Sequence, residues 1–401
     1  MPMAAKRVLL AASAALMLLS GCASQPDKKL PDVTGETKVS VEWRARLGDG
    51  PGALHARMTV AVSADDIVYA ADTSGTLSAL TLESGKRLWE TSFGQSILGG
   101  VGLDGDQLYI SLMEGSLVAL SAETGEELWR AMLPSESVAP AVADNARVYV
   151  QTVDGRVTAL SREDGSQLWT YEAGLPVLSV RGTGSPLMMD QFVVAGFATG
   201  KVVALDKTLG IPRWDVRLGV PDGRSELERL VDVDGTPSYE GQLIYAAAYH
   251  GKIAALTPNG ETIWEEDGSS YTSPELALGS VYLGLDNDEI QAYDMLNGAE
   301  AWHQDALKGR VLGQVTATGA SLAVADADGY VHILSQLDGR LTGRIFLRPR
   351  PLHINYPQQT EATNGRLGRG RDFGIRSTLI DTDAGLLVYT NFGELLLLTI
   401  E

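Results

Sequence analysis

The sequence predicts an all-β fold, an eight-bladed β-propeller whose ring is closed by its N-terminal strand. Three observations lead to this prediction: a tandem repeat with a period of about 40 residues, a Trp near the end of most copies, and a last copy that stops before its final strand. Each copy alternates apolar and polar residues and breaks at Gly-containing turns, which is typical of short antiparallel strands joined by hairpins. A single four-stranded copy cannot bury its two faces, so the copies are expected to pack side by side around a ring.

The copies can be counted through their first turn and their Trp. The turn residue is Gly in seven copies and Asp in one, which gives eight copies with turns at Gly75, Gly115, Gly155, Gly200, Gly251, Asp288, Gly329 and Gly393. Six copies contain a Trp that opens the outermost strand, namely Trp89, Trp129, Trp169, Trp214, Trp264 and Trp302. A large ring at this position can pack between neighbouring blades.

Two copies lack this Trp. Gly343 stands at its position in the seventh copy, and the eighth copy ends at Glu401, directly after its third strand. Residues 39–47 contain Trp43 and form an orphan fourth strand at the other end of the chain. We expect this strand to complete the eighth blade, because closure removes two sheet edges that would otherwise invite aggregation.

The N-terminus has the features of a targeting segment. Lys6 and Arg7 precede an apolar run, which ends in Leu19-Ser20-Gly21-Cys22. This order resembles the bacterial lipobox, in which the signal is removed before a Cys that is then acylated. Bacterial lipoproteins that stay in the inner membrane commonly have Asp after the Cys. Ala23 therefore implies an outer-membrane anchor that faces the periplasm.

The predicted domain organisation has three parts. Residues 1–21 form a lipoprotein signal peptide, residues 22–38 contain lipidated Cys22 and a flexible tether, and residues 39–401 form the propeller. The tether prediction rests on its Pro, Gly and charged residues, which do not favour a packed core.

Composition disfavours several classes of function. The formal net charge is −19 at pH 7, which repels a polyanion, so no nucleic-acid partner is expected. Cys22 is the only Cys, so the mature chain is expected to have no disulfide. The five His residues lie in different copies, and the sequence contains no phosphate loop, His-x-x-x-His pair or Gly-x-Ser-x-Gly motif. No catalytic residue, metal site or cofactor site is therefore predicted.

The spacing of the Trp residues locates insertions in the repeat. The spacing is 40 residues twice, then 45 before Trp214 and 50 before Trp264. Both expansions follow a Trp strand, so they belong to connections from an outer strand to the next inner strand. Such connections emerge on one face of a propeller, and two consecutive ones should lie side by side there. A third expansion, of roughly 24 residues, lies between Gly329 and Gly393.

The two neighbouring connections contain complementary charges. The first includes Leu178, Val180 and Arg181, and the second includes Asp232 and Asp234. An Arg fork between two carboxylates would either hold the two loops together or remain available for a partner.

Two further insertion features have simple interpretations. Ser225, with Glu228 three residues later, favours one capped helical turn in the second connection. The third insertion, at residues 347–378, holds six Arg against Glu361 and Asp372. It is either a solvated loop or a basic segment that meets an acidic partner or lipid headgroups.

The lipobox, the tether, the eight Trp-type blades and the absence of further Cys together resemble one family, the BamB-type outer-membrane protein assembly factors. These are the propeller lipoproteins of the β-barrel assembly machinery. The resemblance covers essentially the whole mature chain, and its more specific motifs are Leu178-Ser179-Val180-Arg181-Gly182 and Arg229-Leu230-Val231-Asp232-Val233-Asp234.

This resemblance implies a non-catalytic scaffold. Leu178, Val180, Arg181, Asp232 and Asp234 would bind the periplasmic domains of the barrel-insertase subunit. Nascent outer-membrane proteins would be further partners by edge addition to a strand. This mode ranks below docking, because closed blades leave few free edges.

The alternative function is that of a periplasmic PQQ-dependent dehydrogenase. Blades that end in Thr-Gly-x-x-x-Trp also resemble the eight-bladed propeller of the quinone-cofactor (PQQ) alcohol and glucose dehydrogenases. Those enzymes are usually longer, and the alcohol-dehydrogenase branch has adjacent cysteines near the cofactor, which this chain lacks.

Overall fold

The computed structural model describes residues 30–51, 57–176, 178, 183–347 and 374–401. All regular structure in these residues is β-strand, arranged in eight sheets that follow one another along the chain. The predicted eight-bladed β-propeller is confirmed. The predicted signal peptide and Cys22 lie outside the described residues.

Each blade has four strands that run from the inside to the outside of the ring. The first two strands in chain order are β1 (Val39–Arg46) and β2 (Arg57–Met58). The first four blades consist of β3 (Ala61–Val62), β4 (Ile67–Ala71), β5 (Thr76–Thr81) and β6 (Arg87–Ser92); β7 (Ile97–Asp104), β8 (Gln107–Leu112), β9 (Ser116–Ser121) and β10 (Glu127–Met132); β11 (Val142–Ala143), β12 (Arg147–Thr152), β13 (Arg156–Ser161) and β14 (Gln167–Glu172); β15 (Leu187–Met188), β16 (Phe192–Phe197), β17 (Lys201–Asp206) and β18 (Pro212–Arg217).

The second half of the ring continues this order. Blades five to eight consist of β19 (Ser238–Glu240), β20 (Leu243–Ala247), β21 (Lys252–Leu256) and β22 (Thr262–Asp267); β23 (Glu275–Ala277), β24 (Ser280–Gly284), β25 (Ile290–Asp294) and β26 (Glu300–Gln304); β27 (Leu312–Thr318), β28 (Ser321–Asp326), β29 (Tyr330–Ser335) and β30 (Leu341–Phe346); β31 (Ile380–Thr382), β32 (Gly385–Tyr389), β33 (Glu394–Ile400) and β1. The short strand β2 adds a parallel fifth strand to the inner edge of blade two.

The N-terminal strand closes the ring, as the sequence predicts. β1 pairs antiparallel with β33 from Val39 opposite Ile400 to Arg46 opposite Glu394. Trp43 lies opposite Leu397 in this pairing, so it takes the outer-strand position that the eighth copy lacks.

Seven Trp side chains, one in each blade except blade seven, join their blade to the next one. Each indole N–H donates to a backbone carbonyl in the hairpin between the third and fourth strands of the following blade, at 2.7–3.2 Å. The indole ring also packs on a Gly in the same hairpin. A Cβ on Gly165 (φ +73°) would lie 2.5 Å from the Trp129 ring, so only Gly allows both the turn and this packing.

A bulge accompanies the Trp position in every outer strand. In blade three, for example, the register shifts between Ala159 and Leu160, so that Trp169 faces Ala159 while Leu168 is left unpaired on the surface. Bulges of this kind turn a side chain and twist an exposed edge away from further pairing.

A second set of inter-blade contacts lies near the centre of the ring. The Ser185 hydroxyl donates to the Pro140 carbonyl at 2.7 Å, and its backbone N–H donates to the Thr236 hydroxyl at 2.9 Å. The Thr236 N–H in turn donates to the Ser273 hydroxyl at 3.0 Å. These bonds link blades three, four, five and six through the residues around the starts of their inner strands.

Blade seven has a different interior. Ala323 and Gly343 replace the Tyr and Trp that pack together in blades such as the third. The imidazole of His332 is fully buried, donates through Nε2 to Asp326 at 2.9 Å and accepts at Nδ1 from Arg344 at 3.1 Å. Burial lowers the pKa of His332, which agrees with the neutral ring that these two bonds require.

We predict that deleting residues 394–401 abolishes the folded ring. The deletion removes β33, which pairs with both β32 and β1, so that two strands lose their partner and the Trp43 contact is lost. Circular dichroism and limited proteolysis should show no cooperative unfolding transition and no protected core. A chain that starts at residue 30 is the control and should keep both. A truncated protein with an unchanged melting midpoint would contradict the prediction.

Candidate docking site

Where the structure describes them, the two expanded connections adjoin each other on one face of the ring, as their spacing predicts. They comprise residues 173–186, between β14 and β15, and residues 218–237, between β18 and β19. A Cβ on Gly184 would lie 2.8 Å from the Thr236 nitrogen, so the two backbones touch. We call this the connection face, and the opposite face, which carries the hairpins between third and fourth strands, the hairpin face.

The base of the second connection is fixed to the blades. Val231 and Val233 are buried, and Val233 packs in the core shared by blades four and five. Its N–H donates to the Phe197 carbonyl at 3.3 Å, and Asp232 and Tyr249 exchange two backbone hydrogen bonds of 3.4 and 2.7 Å. The base therefore belongs to the rigid ring.

The tip of the second connection forms a single turn. The Ser225 hydroxyl accepts from the Glu228 N–H at 3.3 Å, and the Glu228 carboxylate accepts from the Ser225 N–H at 3.3 Å. This reciprocal pair is the capping box that the sequence predicts. The segment stops after one turn and leaves the Leu227 side chain exposed.

The structure places the predicted docking residues in two environments. Leu178 is 41% exposed. Asp232 and Asp234 are buried, at 1% and 0% exposure, and the Asp234 backbone adjoins Gly184 of the first connection. Val180 and Arg181 lie outside the described residues.

Three exposed apolar side chains on the same connections escaped the sequence analysis. Leu175 lies on the first connection, and Val220 and Leu227 lie on the second. Together with Leu178 they form an apolar set, although single exposed apolar residues are common on any surface. One feature of the sequence could have identified these three residues. They lie in lengthened connections, outside the alternating strand pattern that accounts for core residues.

A central cavity of about 750 Å³ opens among the starts of the inner strands. Its wall is rich in hydroxyl groups, including Thr183, Ser185, Thr236, Ser273 and Thr378. The cavity is also lined by Met58 of the added strand β2, which covers the inner edge of blade two.

One acidic side chain in this cavity is strongly perturbed. Burial raises the pKa of Glu275 to about 7, against the effect of the Ala317 N–H that donates to its carboxylate at 2.8 Å; nearby Asp381 raises the pKa further. Glu275 thus takes up a proton near neutral pH.

The part of the chain that the structure describes contains neither a metal-binding group nor a membrane-spanning helix. Within it, His, Cys, Asp and Glu side chains form no group of three or more that could hold a metal ion. No helix in the same residues is long and apolar enough to cross a membrane. Of the Arg-rich insertion, residues 348–373 lie outside the described chain.

Fold and connections together define a class of protein. The chain is a closed eight-bladed propeller of the PQQ-like, Trp-docked type, and two enlarged connections distinguish one of its faces. The family model for outer membrane protein assembly factor BamB matches residues 73–304.

Relatives with known names agree with this match. The chain is 45% identical over 369 residues to outer membrane protein assembly factor BamB from Pseudomonas aeruginosa, covering 88% of this chain and 97% of that one. It is similar to the crystal structure of BamB from Moraxella catarrhalis with a TM-score of 0.78 and 28% identity, covering 90% of this chain and 100% of that one. The chain therefore belongs to the BamB family of outer membrane protein assembly factors.

The same propeller also occurs in enzymes. A quinohemoprotein alcohol dehydrogenase from Comamonas testosteroni matches with a TM-score of 0.64 and 13% identity, covering 90% of this chain and 76% of that one. At this identity the likeness concerns the fold alone, since one fold supports many functions.

We predict that Glu275 makes stability depend on pH. Its pKa is about 7 in the folded protein and about 4.3 in an unfolded chain, so the folded state binds the proton more tightly. The free energy of unfolding should therefore fall as pH rises from about 4.5 to 8, by about 3 kcal/mol. Glu275→Gln keeps the acceptor for the Ala317 N–H and should remove this dependence.

The measurement is denaturant unfolding of both proteins at pH 5 and pH 8. The variant should be the more stable protein at pH 8, and the two should differ little at pH 5. Equal changes with pH in both proteins would show that Glu275 is not the responsible group.

Proposed function

We propose that this protein is a non-catalytic scaffold of the β-barrel assembly machinery, which docks through its connection face on the periplasmic domains of the barrel-insertase subunit. The observation that carries the proposal is the pair of adjacent connections with exposed Leu175, Leu178, Val220 and Leu227. Val220 and Leu227 belong to the second connection, whose base is packed into the ring. Apolar side chains on a fixed support bind a partner with little loss of conformational entropy.

The two Asp residues at the base of the second connection point to a structural role for Arg181. Asp232 and Asp234 are buried, and buried carboxylates are stable only when cations or hydrogen-bond donors compensate them. Arg181 is close in sequence to Thr183 and Gly184, which adjoin this base. We therefore favour Arg181 as the residue that holds the two connections together and so positions Leu178 and Val180 for the partner.

The proposed location is the outer membrane, with the propeller in the periplasm. Support comes from the Leu19-Ser20-Gly21-Cys22 sequence and from Ala23, with Cys22 as the lipidated residue. Nascent outer-membrane proteins are a second class of partner. Their strands would add to an outer blade edge, but the bulges in the outer strands oppose such pairing.

We predict that Leu178→Glu and Arg181→Ala each weaken co-purification with the insertase subunit. A charge in an apolar contact and a loosened loop should each reduce the affinity about tenfold or more, which corresponds to about 1.4 kcal/mol. Pull-downs from detergent-solubilised outer membranes measure this. Leu337→Glu changes another exposed Leu, on the hairpin face, and is the control; Leu337 is 86% exposed and Leu178 is 41% exposed. Unchanged co-purification of both variants would overturn the docking proposal.

Asp232→Asn separates the two roles of Arg181. If the Arg holds the connections together, both Arg181→Ala and Asp232→Asn should lower the melting midpoint as well as the affinity. If the Arg contacts the partner alone, Arg181→Ala should lower the affinity and leave the melting midpoint unchanged.

The dehydrogenase alternative has a direct test. We expect that adding PQQ with Ca²⁺ and removing the excess leaves no cofactor absorbance with the protein, because Pro51, Met58 and Thr59, which precede β3, occupy part of the wall of the central cavity. Retained absorbance at one equivalent, together with dye reduction in the presence of an alcohol, would support the enzyme instead.

A further inference from the structure

Blade seven lacks the Trp that the other seven blades use to contact their neighbour. Gly343 lies opposite Ile333, just as Trp169 lies opposite Ala159 in blade three. A Cβ on Gly343 would lie 2.5 Å from the Thr37 carbonyl oxygen. The space that a Trp takes in the other blades is therefore filled by backbone from the N-terminal segment.

Several hydrogen bonds hold this segment on blade seven. The N–H groups of Thr34 and Thr37 donate to the carbonyls of Leu341 and Thr342, at 3.0 and 3.2 Å. The hydroxyls of Thr37 and Thr342 are 2.9 Å apart. We call residues 34–38 the latch. They belong to the stretch that the sequence predicts to be a flexible tether, yet they follow the outer edge of β30.

The latch covers an edge that is open in other blades. Thr342 is 5% exposed, whereas Leu168, at the same position of blade three, is 48% exposed. An ion pair adds to the contact, with Arg340 Nη2 2.8 Å from Glu36 Oε2. The latch leads directly into β1, where the Lys38 N–H donates to the Glu401 carbonyl at 2.8 Å.

Topology sets where the chain leaves the ring. The latch pairs with the start of β30, next to the hairpin between β29 and β30, so Thr34 lies at the hairpin face of blade seven. The two enlarged connections are on the opposite face, between blades three and five. Blade seven is diametrically across an eight-membered ring from blade three.

We propose that the latch makes the hairpin face of blade seven the surface of the propeller that lies nearest the membrane. This rests on the proposed lipid at Cys22. Eleven residues lie between Cys22 and Thr34, and a chain of that length spans about 40 Å at most, even when fully extended. The lipid bilayer is then held close to blade seven, and the connection face remains turned toward partners in the periplasm.

The first experiment tests the latch by protease protection. Lys38 and Glu36 should resist trypsin and Glu-C in the native protein, because their backbone is paired with blades seven and eight. Thr34→Pro/Thr37→Pro removes both donors to β30 and should raise the cleavage rate there at least tenfold. Asp27→Pro/Leu30→Pro places two Pro in the preceding residues and is the matched control, with no expected change. Equal cleavage in all three proteins would overturn the latch.

The second experiment tests the orientation on vesicles that contain a headgroup-labelled lipid. Because the native Cys is acylated, Leu337→Cys and Glu163→Cys each provide one thiol for a fluorescent donor, at matching exposed hairpin positions of blades seven and three. Energy transfer from position 337 should be at least twofold greater than from position 163. Equal transfer would overturn the proposed orientation. Failure of the protein to float with vesicles would instead overturn the lipid anchor, and the protease result would still decide the latch.

Discussion

Docking of each Trp on the following blade is the interaction on which the rest of the structure depends. The indole needs a carbonyl acceptor and a Gly surface, and both come from a hairpin of the next blade, as with Trp129 and Gly165. No blade is therefore complete without its neighbour. The same contact joins blade eight to blade one, because Trp43 in β1 donates to the Leu82 carbonyl of blade one. A ring of this kind gains its stability as a whole.

A closed ring also explains how long loops can hold defined positions. The second connection spans twenty residues, but its base inserts Val231 and Val233 between blades four and five. Only the tip, with Leu227, extends from the surface. The ring thus supplies rigidity, and the lengthened connections supply the distinguishing chemistry, so the same propeller serves assembly factors and dehydrogenases.

The asymmetry of blade seven has a related cause. Where Gly343 replaces Trp, the chain uses its own residues 34–38 to cover the exposed edge. Loss of one aromatic contact is offset by backbone hydrogen bonds and by the buried His332–Asp326 pair. The two attachments that we propose, to the membrane and to the insertase subunit, then arise at opposite sides of the ring.

The sequence by itself determined the blade count, the closing strand and the neighbouring positions of the two enlarged connections. These follow from periodicity and topology, which act locally and repeat along the chain. It also identified Leu178, Asp232 and Asp234 as members of one region. Only the tertiary structure decided that the two Asp are buried, that Leu175, Val220 and Leu227 are exposed beside them, and that residues 34–38 lie on blade seven. Burial depends on which distant segments cover a residue, and Thr37 and Gly343 meet across three hundred residues of chain, a contact that no local pattern encodes.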